Sequence, residues 1–314
     1  MQEPPTLRAP HIGIFDSGIG GLSVLRALRR QWPQARCTYI ADSRFAPWGD
    51  RPAGWVVARC QQLTAHLLAD GADLVLVACN TASTQAITAL RQRWPDRLFV
   101  GVEPGIKPAA AASRNGRVAV LATTGTLASP RLAQLVAAHA GSAVLLHLPC
   151  PGLAEAIERA GADDAALHQH LDQIVAKLLA AEVDTVVLGC THYPLVATAL
   201  QARLGPRVRL VDTADAVARQ VVRLLAAAHP VAAAPGAGPD HRAAALPRLL
   251  ATGPLADLSR AARRWVQADA LAEPLQLADP APVQLADPAA VQLADPAPGA
   301  RDGNRTRTPE GCGF

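Results

Sequence analysis

Two cysteines in this sequence end matching apolar runs. Leu74-Val75-Leu76-Val77-Ala78 leads to Cys79 and then Asn80, Thr81 and Ser83, while Val186-Val187-Leu188-Gly189 leads to Cys190 and then Thr191, His192 and Tyr193. A short unbroken apolar run bounded by polar residues reads as a parallel strand buried on both faces. A helix starting directly behind each run, with Pro194 in the first turn of the second, would put each sulfur at the positive end of a helix dipole, favouring thiolate and lowering the thiol pKa. One buried cysteine commonly only fills space. Two of them, 111 residues apart in matching strand-to-helix settings, suit two thiols facing one ligand. Opposed thiols fit a reaction that takes a proton from one face of a carbon and returns one to the other, because that step needs an acid–base group on each side. A nucleophilic hydrolase needs one thiol and a base, and leaves the second thiol unexplained.

The elements that must position these residues alternate along the chain. Residues 12–15 read as a strand ending in Asp16-Ser17-Gly18-Ile19-Gly20-Gly21, whose glycines allow a tight turn and close backbone approach to a ligand before a helix over 22–32. This is not a dinucleotide fingerprint: Ser23 stands where the pattern starting at Gly18 needs glycine or alanine, and Asp16 would repel a phosphate. Residues 38–41 form a second strand, followed by the loop 42–50 at a strand end, where open α/β sheets hold ligands. Helices over 52–70 and 82–94 flank the Cys79 strand, a strand covers 98–102, and the breaker-rich Glu103-Pro104-Gly105-Ile106-Lys107-Pro108 marks a crossing to a second unit. There a strand over 118–121 ends in a small polar turn over 122–126, which corresponds to Asp16-Ser17-Gly18. A strand over 143–148, a helix opening behind Cys150-Pro151-Gly152, a longer helix over 163–182, the Cys190 strand, a helix to Leu204, a strand over 208–211 and a helix over 214–227 follow. This alternation predicts an α/β fold of two similar three-layer parallel-sheet domains in pseudo-symmetric arrangement, 1–103 plus 211–274 and 104–210, with the active site in the cleft between them.

Composition narrows the class of partner. Half of the 314 residues are hydrophobic, enough for two cores, yet no apolar run is long enough to span a bilayer. The first ten residues are polar and proline-rich, unlike a signal peptide, so a cytoplasmic protein without a membrane partner is expected. Six cysteines without a CxxC pair argue against a disulfide framework or zinc ribbon. A net charge of +4 from scattered arginines, with 4% aromatics, does not make a nucleic-acid surface the primary one. Lys107 and Lys177 lie in a proline-rich turn and an amphipathic helix, poor settings for a Schiff base, so neither cofactor nor metal is expected. Two other readings stay open on the residues alone: a zinc site built from Asp16, Cys79, Cys190 and His192, and a non-catalytic binding protein on the same fold.

Taken as a set, Phe15-Asp16-Ser17-Gly18-Ile19-Gly20-Gly21-Leu22, Ala78-Cys79-Asn80-Thr81-Ala82, Glu103-Pro104-Gly105, Gly125-Thr126, Cys150-Pro151 and Gly189-Cys190-Thr191-His192-Tyr193-Pro194 closely resemble the cofactor-independent aspartate/glutamate racemase family, its glutamate enzymes more than its aspartate or hydantoin ones. The resemblance runs over residues 12–225. It implies interconversion of L- and D-glutamate, supplying D-glutamate for peptidoglycan, in an enzyme that is commonly dimeric. It further implies that Cys79 works on the α-proton of the D-enantiomer and Cys190 on that of the L-enantiomer. Asp16 would assist Cys79, His192 would assist Cys190, and Glu158 would stand near the second half-site. Asp16, Ser17, Trp48, Gly49, Asn80, Thr81, Thr191 and His192 match positions that hold the substrate. One departure concerns Pro47-Trp48-Gly49, where the family has Pro-Tyr-Gly. Little changes if backbone amides do the holding, whereas a needed phenol would be missed, because an indole N–H cannot accept a hydrogen bond. Cys37, Cys60 and Cys150 read as structural.

Beyond residue 228 the character shifts. Residues 229–239 are rich in Ala, Pro and Gly and read as a linker, and a strand over 248–252 with a helix over 255–266 ends the folded part. From Leu275 an octapeptide, Leu-Gln-Leu-Ala-Asp-Pro-Ala-Pro in its first copy, occurs three times. A proline in every copy forbids a long helix, and three short copies are too few for a solenoid, so 275–314 is expected to be a low-complexity tail.

Overall fold

The computed structural model describes residues 9–159, 164–228 and 245–279. The chain runs β1 (His11–Asp16), α1 (Leu22–Gln31), β2 (Arg36–Ala41), α2 (Ala53–Ala69), β3 (Leu74–Val77), α3 (Asn80–Arg93), β4 (Leu98–Gly101) and α4 (Ile106–Ala112). It continues through β5 (Arg117–Ala122), α5 (Thr124–Leu127), α6 (Pro130–His139), β6 (Val144–Pro149), α7 (Leu153–Arg159), α8 (Ala165–Ala180), β7 (Thr185–Leu188), α9 (Ala197–Leu204) and β8 (Arg209–Val211). Helix α10 (Ala214–Ala228), β9 (Arg248–Ala251), α11 (Leu255–Val266) and β10 (Ala272–Pro274) follow.

The strands form two parallel sheets, one in the order β10-β9-β2-β1-β3-β4 and the other in the order β6-β5-β7-β8. The order β2-β1-β3-β4 therefore recurs as β6-β5-β7-β8, so the two-domain α/β plan and its internal repeat are both present. Strands β1, β3 and β7 are buried along their whole length, as continuous apolar runs in a parallel sheet must be. Leu22, Leu25 and Leu28 place an apolar stripe along α1, which packs on α10 through a core shared with Val217, Val221 and Leu225. Each such side chain taken from water stabilises the fold by about 1.5–3 kcal/mol. Among the described residues no helix is long and apolar enough to cross a membrane.

Several elements differ from the sequence reading. Helix α3 begins at Asn80 rather than Ala82, which makes Cys79 its N-cap residue. Behind Cys190 comes a 3-10 turn, Tyr193–Val196, before α9 begins. The crossing at 103–108 already contains the start of α4, because Pro108 falls in its first turn, where a missing N–H costs nothing. The polar turn at 122–126 becomes the single-turn α5, capped by the Thr123 side chain, which accepts from the Thr126 N–H. Strand β10 and the opening of the first octapeptide pack on the first sheet: Leu275 is buried, and Leu277 joins the cluster that contains Trp48 and Cys79. The Leu-x-Leu spacing puts both leucines on one face of an extended segment. The linker at 229–239 and the tail from 280 onward lie outside the described residues.

Candidate active site

Both thiols line one cavity of about 270 Å3, together with Ser17, Trp48, Gly49, Asn80, Thr81, Thr123, Glu158, Thr191 and His192. Its walls come from the C-terminal ends of β1, β3, β5 and β7, the loop after β2, and α7, so the equivalent strands β3 and β7 of the two sheets each deliver one sulfur. The repeat in strand order thus brings two cysteines from equivalent strand ends to one cavity.

Around Cys190, two further side chains follow in line. His192 Nδ1 lies 3.7 Å from Cys190 Sγ, and His192 Nε2 lies 2.7 Å from Glu158 Oε1. The same Oε1 accepts the Ile19 N–H at 2.8 Å, which ties α7 to the glycine turn behind β1. Burial alone would lower the pKa of the imidazole, but the neighbouring Cys190 and Glu158 outweigh it and hold His192 well above its ordinary 6.5. The glycines are explained here. A Cβ on Gly18 would lie 1.8 Å from Glu158 Oε1, and one on Gly20 would lie 2.4 Å from His192 Nδ1. The close approach read from the sequence is therefore to the Glu158 and His192 side chains of the chain itself and not to a ligand.

The first half-site differs. Cys79 Sγ is 3.8 Å from Ser17 Oγ and borders the Asp16 carboxylate. The helix start does send the Ala82 N–H toward the sulfur, but burial and the Asp16 charge prevail, and the thiol is pushed well above its ordinary value. The expected lowering at Cys79 is thus overturned, because desolvation exceeds the dipole's help. Asp16 is fully buried and stands behind the cavity wall instead of in it. Its carboxylate accepts the N–H of Gly21, the Ser17 N–H at 2.6 Å and the Thr191 hydroxyl at 3.1 Å, so it ties the β1 turn to the β7 turn. Burial raises its pKa, against the pull of His192 and Cys79.

Further polar residues line the cavity. Both side-chain amide atoms of Asn80 and the Trp48 indole N–H are buried without a hydrogen-bond partner. Trp48 is edge-on to Trp55, with ring centroids 5.8 Å apart, and Gly49 O accepts the Gly125 N–H at 3.2 Å, which joins this loop to the second sheet. Thr81 Oγ1 lies 3.0 Å from Thr123 Oγ1. No group of three or more His, Cys, Asp or Glu among the described residues is placed to hold a metal ion.

The profile of the Asp/Glu/Hydantoin racemase family matches residues 23–221. The chain belongs to the Asp/Glu/Hydantoin racemase family. A glutamate racemase from Ectopseudomonas mendocina is 47% identical to this racemase over 214 residues, covering 68% of this chain and 81% of that protein. One from Pseudomonas aeruginosa is 43% identical over 236 residues, covering 75% and 89%. Among solved structures, a glutamate racemase isoform from Bacillus anthracis superposes with a TM-score of 0.73 at 28% identity, covering 85% of this chain and 98% of that one. Escherichia coli glutamate racemase, in complex with L-glutamate and the activator UDP-MurNAc-ala, gives 0.70 at 31% identity, covering 85% and 98%.

Of the site residues expected for this family member, Ser17, Trp48, Gly49, Cys79, Asn80, Thr81, Glu158, Cys190, Thr191 and His192 meet in one cavity, and Asp16 lies just behind it. Thr123 was not among them. Its signal was the correspondence of the β5 turn with Asp16-Ser17-Gly18, which places a hydroxyl-bearing residue at an equivalent strand end. Arg159 and Glu155, also in the wall, carry no such signal.

Proposed function

We propose that this racemase interconverts L- and D-glutamate by a two-thiol proton transfer. The observation that carries the reading is that two cysteines from equivalent strands of the two sheets line the same cavity. In the L-to-D direction the Cys190 thiolate takes the α-proton: the Cα–H bond breaks, an S–H bond forms, and the electron pair spreads onto the α-carboxylate. The Cys79 S–H then gives its proton to the other face of the same carbon and becomes thiolate. The protonation states suit this order. An imidazolium at His192, supported by Glu158, stands with Nδ1 3.7 Å from Cys190 Sγ, while burial keeps Cys79 in the thiol form that donates. Backbone N–H groups at the start of α3 and the unpartnered Asn80 amide suit the carboxylate that receives the charge. Thiol chemistry of this kind requires a compartment that keeps cysteines reduced, and the five cysteines among the described residues are buried and unbridged, which supports a cytoplasmic setting. D-Glutamate made there is the form used in peptidoglycan.

The test is isotope incorporation with no added cofactor. L-Glutamate incubated with the protein in deuterated water should yield D-glutamate carrying deuterium at the α-position, followed by NMR and circular dichroism. Absence of both interconversion and exchange would refute the reading; exchange without inversion would refute the two-sided mechanism.

A further inference from the structure

Arg59, in the middle of α2, is fully buried, and its charge is matched by an equally buried Asp42. Nε donates to Asp42 Oδ2 at 2.9 Å and Nη2 to Asp42 Oδ1 at 2.7 Å, a two-pronged bond that fixes orientation as well as attraction. Nη1 donates to Gln62 Oε1 at 2.9 Å and to the Ala278 carbonyl at 3.0 Å, and the guanidinium carbon lies 4.5 Å from the Phe45 ring centre.

Asp42 opens the loop that carries Pro47, Trp48 and Gly49 into the cavity wall. Its backbone N–H donates to Asp16 O at 3.0 Å, its carbonyl accepts the Phe45 N–H at 3.0 Å, and its carboxylate accepts the Thr252 hydroxyl at 2.9 Å. A buried ion pair adds little stability over well-packed apolar residues, so its presence at the root of a cavity loop points to orientation. The partner on the far side of the guanidinium comes from the segment that the sequence marks as the first octapeptide, with Leu275 and Leu277 packed into the cluster that includes Trp48.

We propose that Arg59 is a positioning residue for the substrate loop 42–49, holding it through Asp42 while the chain's own segment 275–278 closes over the guanidinium. The inference rests on the glutamate-racemase reading of the cavity. Arg59 touches no substrate; it sets where the Trp48 and Gly49 backbone stands when glutamate enters.

The test measures kcat and KM for both enantiomers in full-length Arg59→Met, Arg59→Lys and Thr252→Val, each checked for folding by circular dichroism and thermal unfolding. Arg59→Met should raise KM about tenfold with kcat changed by less than about threefold, because a loosened loop weakens binding in ground and transition states alike. Arg59→Lys should recover part of this loss, since an ammonium neutralises Asp42 without the two-pronged geometry. If Arg59→Met does not fold, Arg59→Lys and Thr252→Val carry the test, each with a KM rise of about two- to fivefold expected. Folded variants with wild-type KM, or full recovery by lysine, would overturn the proposal. A wild-type chain that does not interconvert glutamate would instead sink the proposed function, so the two failures are told apart.

Discussion

Replacing Glu158 by glutamine removes one charge and almost nothing else. Both bonds of this side chain run to a single oxygen, Oε1, which accepts from the Ile19 N–H at 2.8 Å and faces His192 Nε2 at 2.7 Å. A glutamine oxygen can accept both, so the geometry survives while the charge-assisted bond to the imidazolium becomes a neutral one. With the Glu158 side chain 21% exposed and that of His192 5% exposed, the pair is buried enough for a charged hydrogen bond to be worth about 1.5–3 kcal/mol. The neutral bond that replaces it keeps about 0.5–1.5 kcal/mol, so about 1–1.5 kcal/mol is lost and, at about 1.4 kcal/mol per factor of ten, kcat/KM should fall about 5- to 10-fold. The enantiomers have equal free energy, so kcat/KM must fall equally in both directions. The pH profile isolates the cause. The raised pKa of His192 keeps the imidazolium, and the rate that depends on it, up to a basic limb where both are lost. Without the Glu158 charge the imidazole releases its proton more readily, and that limb moves to lower pH. Initial rates by circular dichroism from both enantiomers across pH, with thermal unfolding as the folding control, measure both effects. A folded variant with a wild-type rate and an unmoved basic limb would refute this role of Glu158.

Other outcomes follow from the same geometry. Cys79→Ser and Cys190→Ser should each keep the fold and abolish racemisation, read by circular dichroism; undiminished interconversion by either variant counts against the two-thiol mechanism. Gly20→Ala drives a methyl to 2.4 Å from His192 Nδ1, the atom that faces Cys190, and should cost about 1–3 kcal/mol of stability and about 100-fold in rate, measured by denaturant unfolding and kcat. Asp184 accepts the Ser113 hydroxyl at 2.6 Å and the N–H groups of Arg114 and Asn115 at 2.7 and 2.8 Å, and these donors outweigh burial and pull its pKa to about 2. A depressed carboxylate stabilises the fold above its unfolded value and loses that contribution as pH falls from about 4 toward about 2. Asp184→Ala should therefore cost about 1 kcal/mol more near neutral pH, after allowing for solvent screening, than at the acid end, measured by urea unfolding at several pH values.

The chemistry of this protein is legible along the chain wherever it depends on residues close in sequence. Apolar runs ending at Cys79 and Cys190 are local patterns, and burial of β3 and β7 on both faces is what such runs require. The alternation of strands and helices settles the parallel sheets, since parallel neighbours need a crossover between them. What the sequence leaves open depends on long-range approach. The glycines at 18 and 20 are visible as residues, but that they make room for Glu158 and His192 is decided only when the turn behind β1 packs against α7 and against the turn behind β7, about 140 and 170 positions away. The state of Cys79 is likewise a matter of tertiary structure. A helix start argues for thiolate from sequence alone, while burial beside Asp16, which only the assembled core imposes, costs more and holds the proton on sulfur.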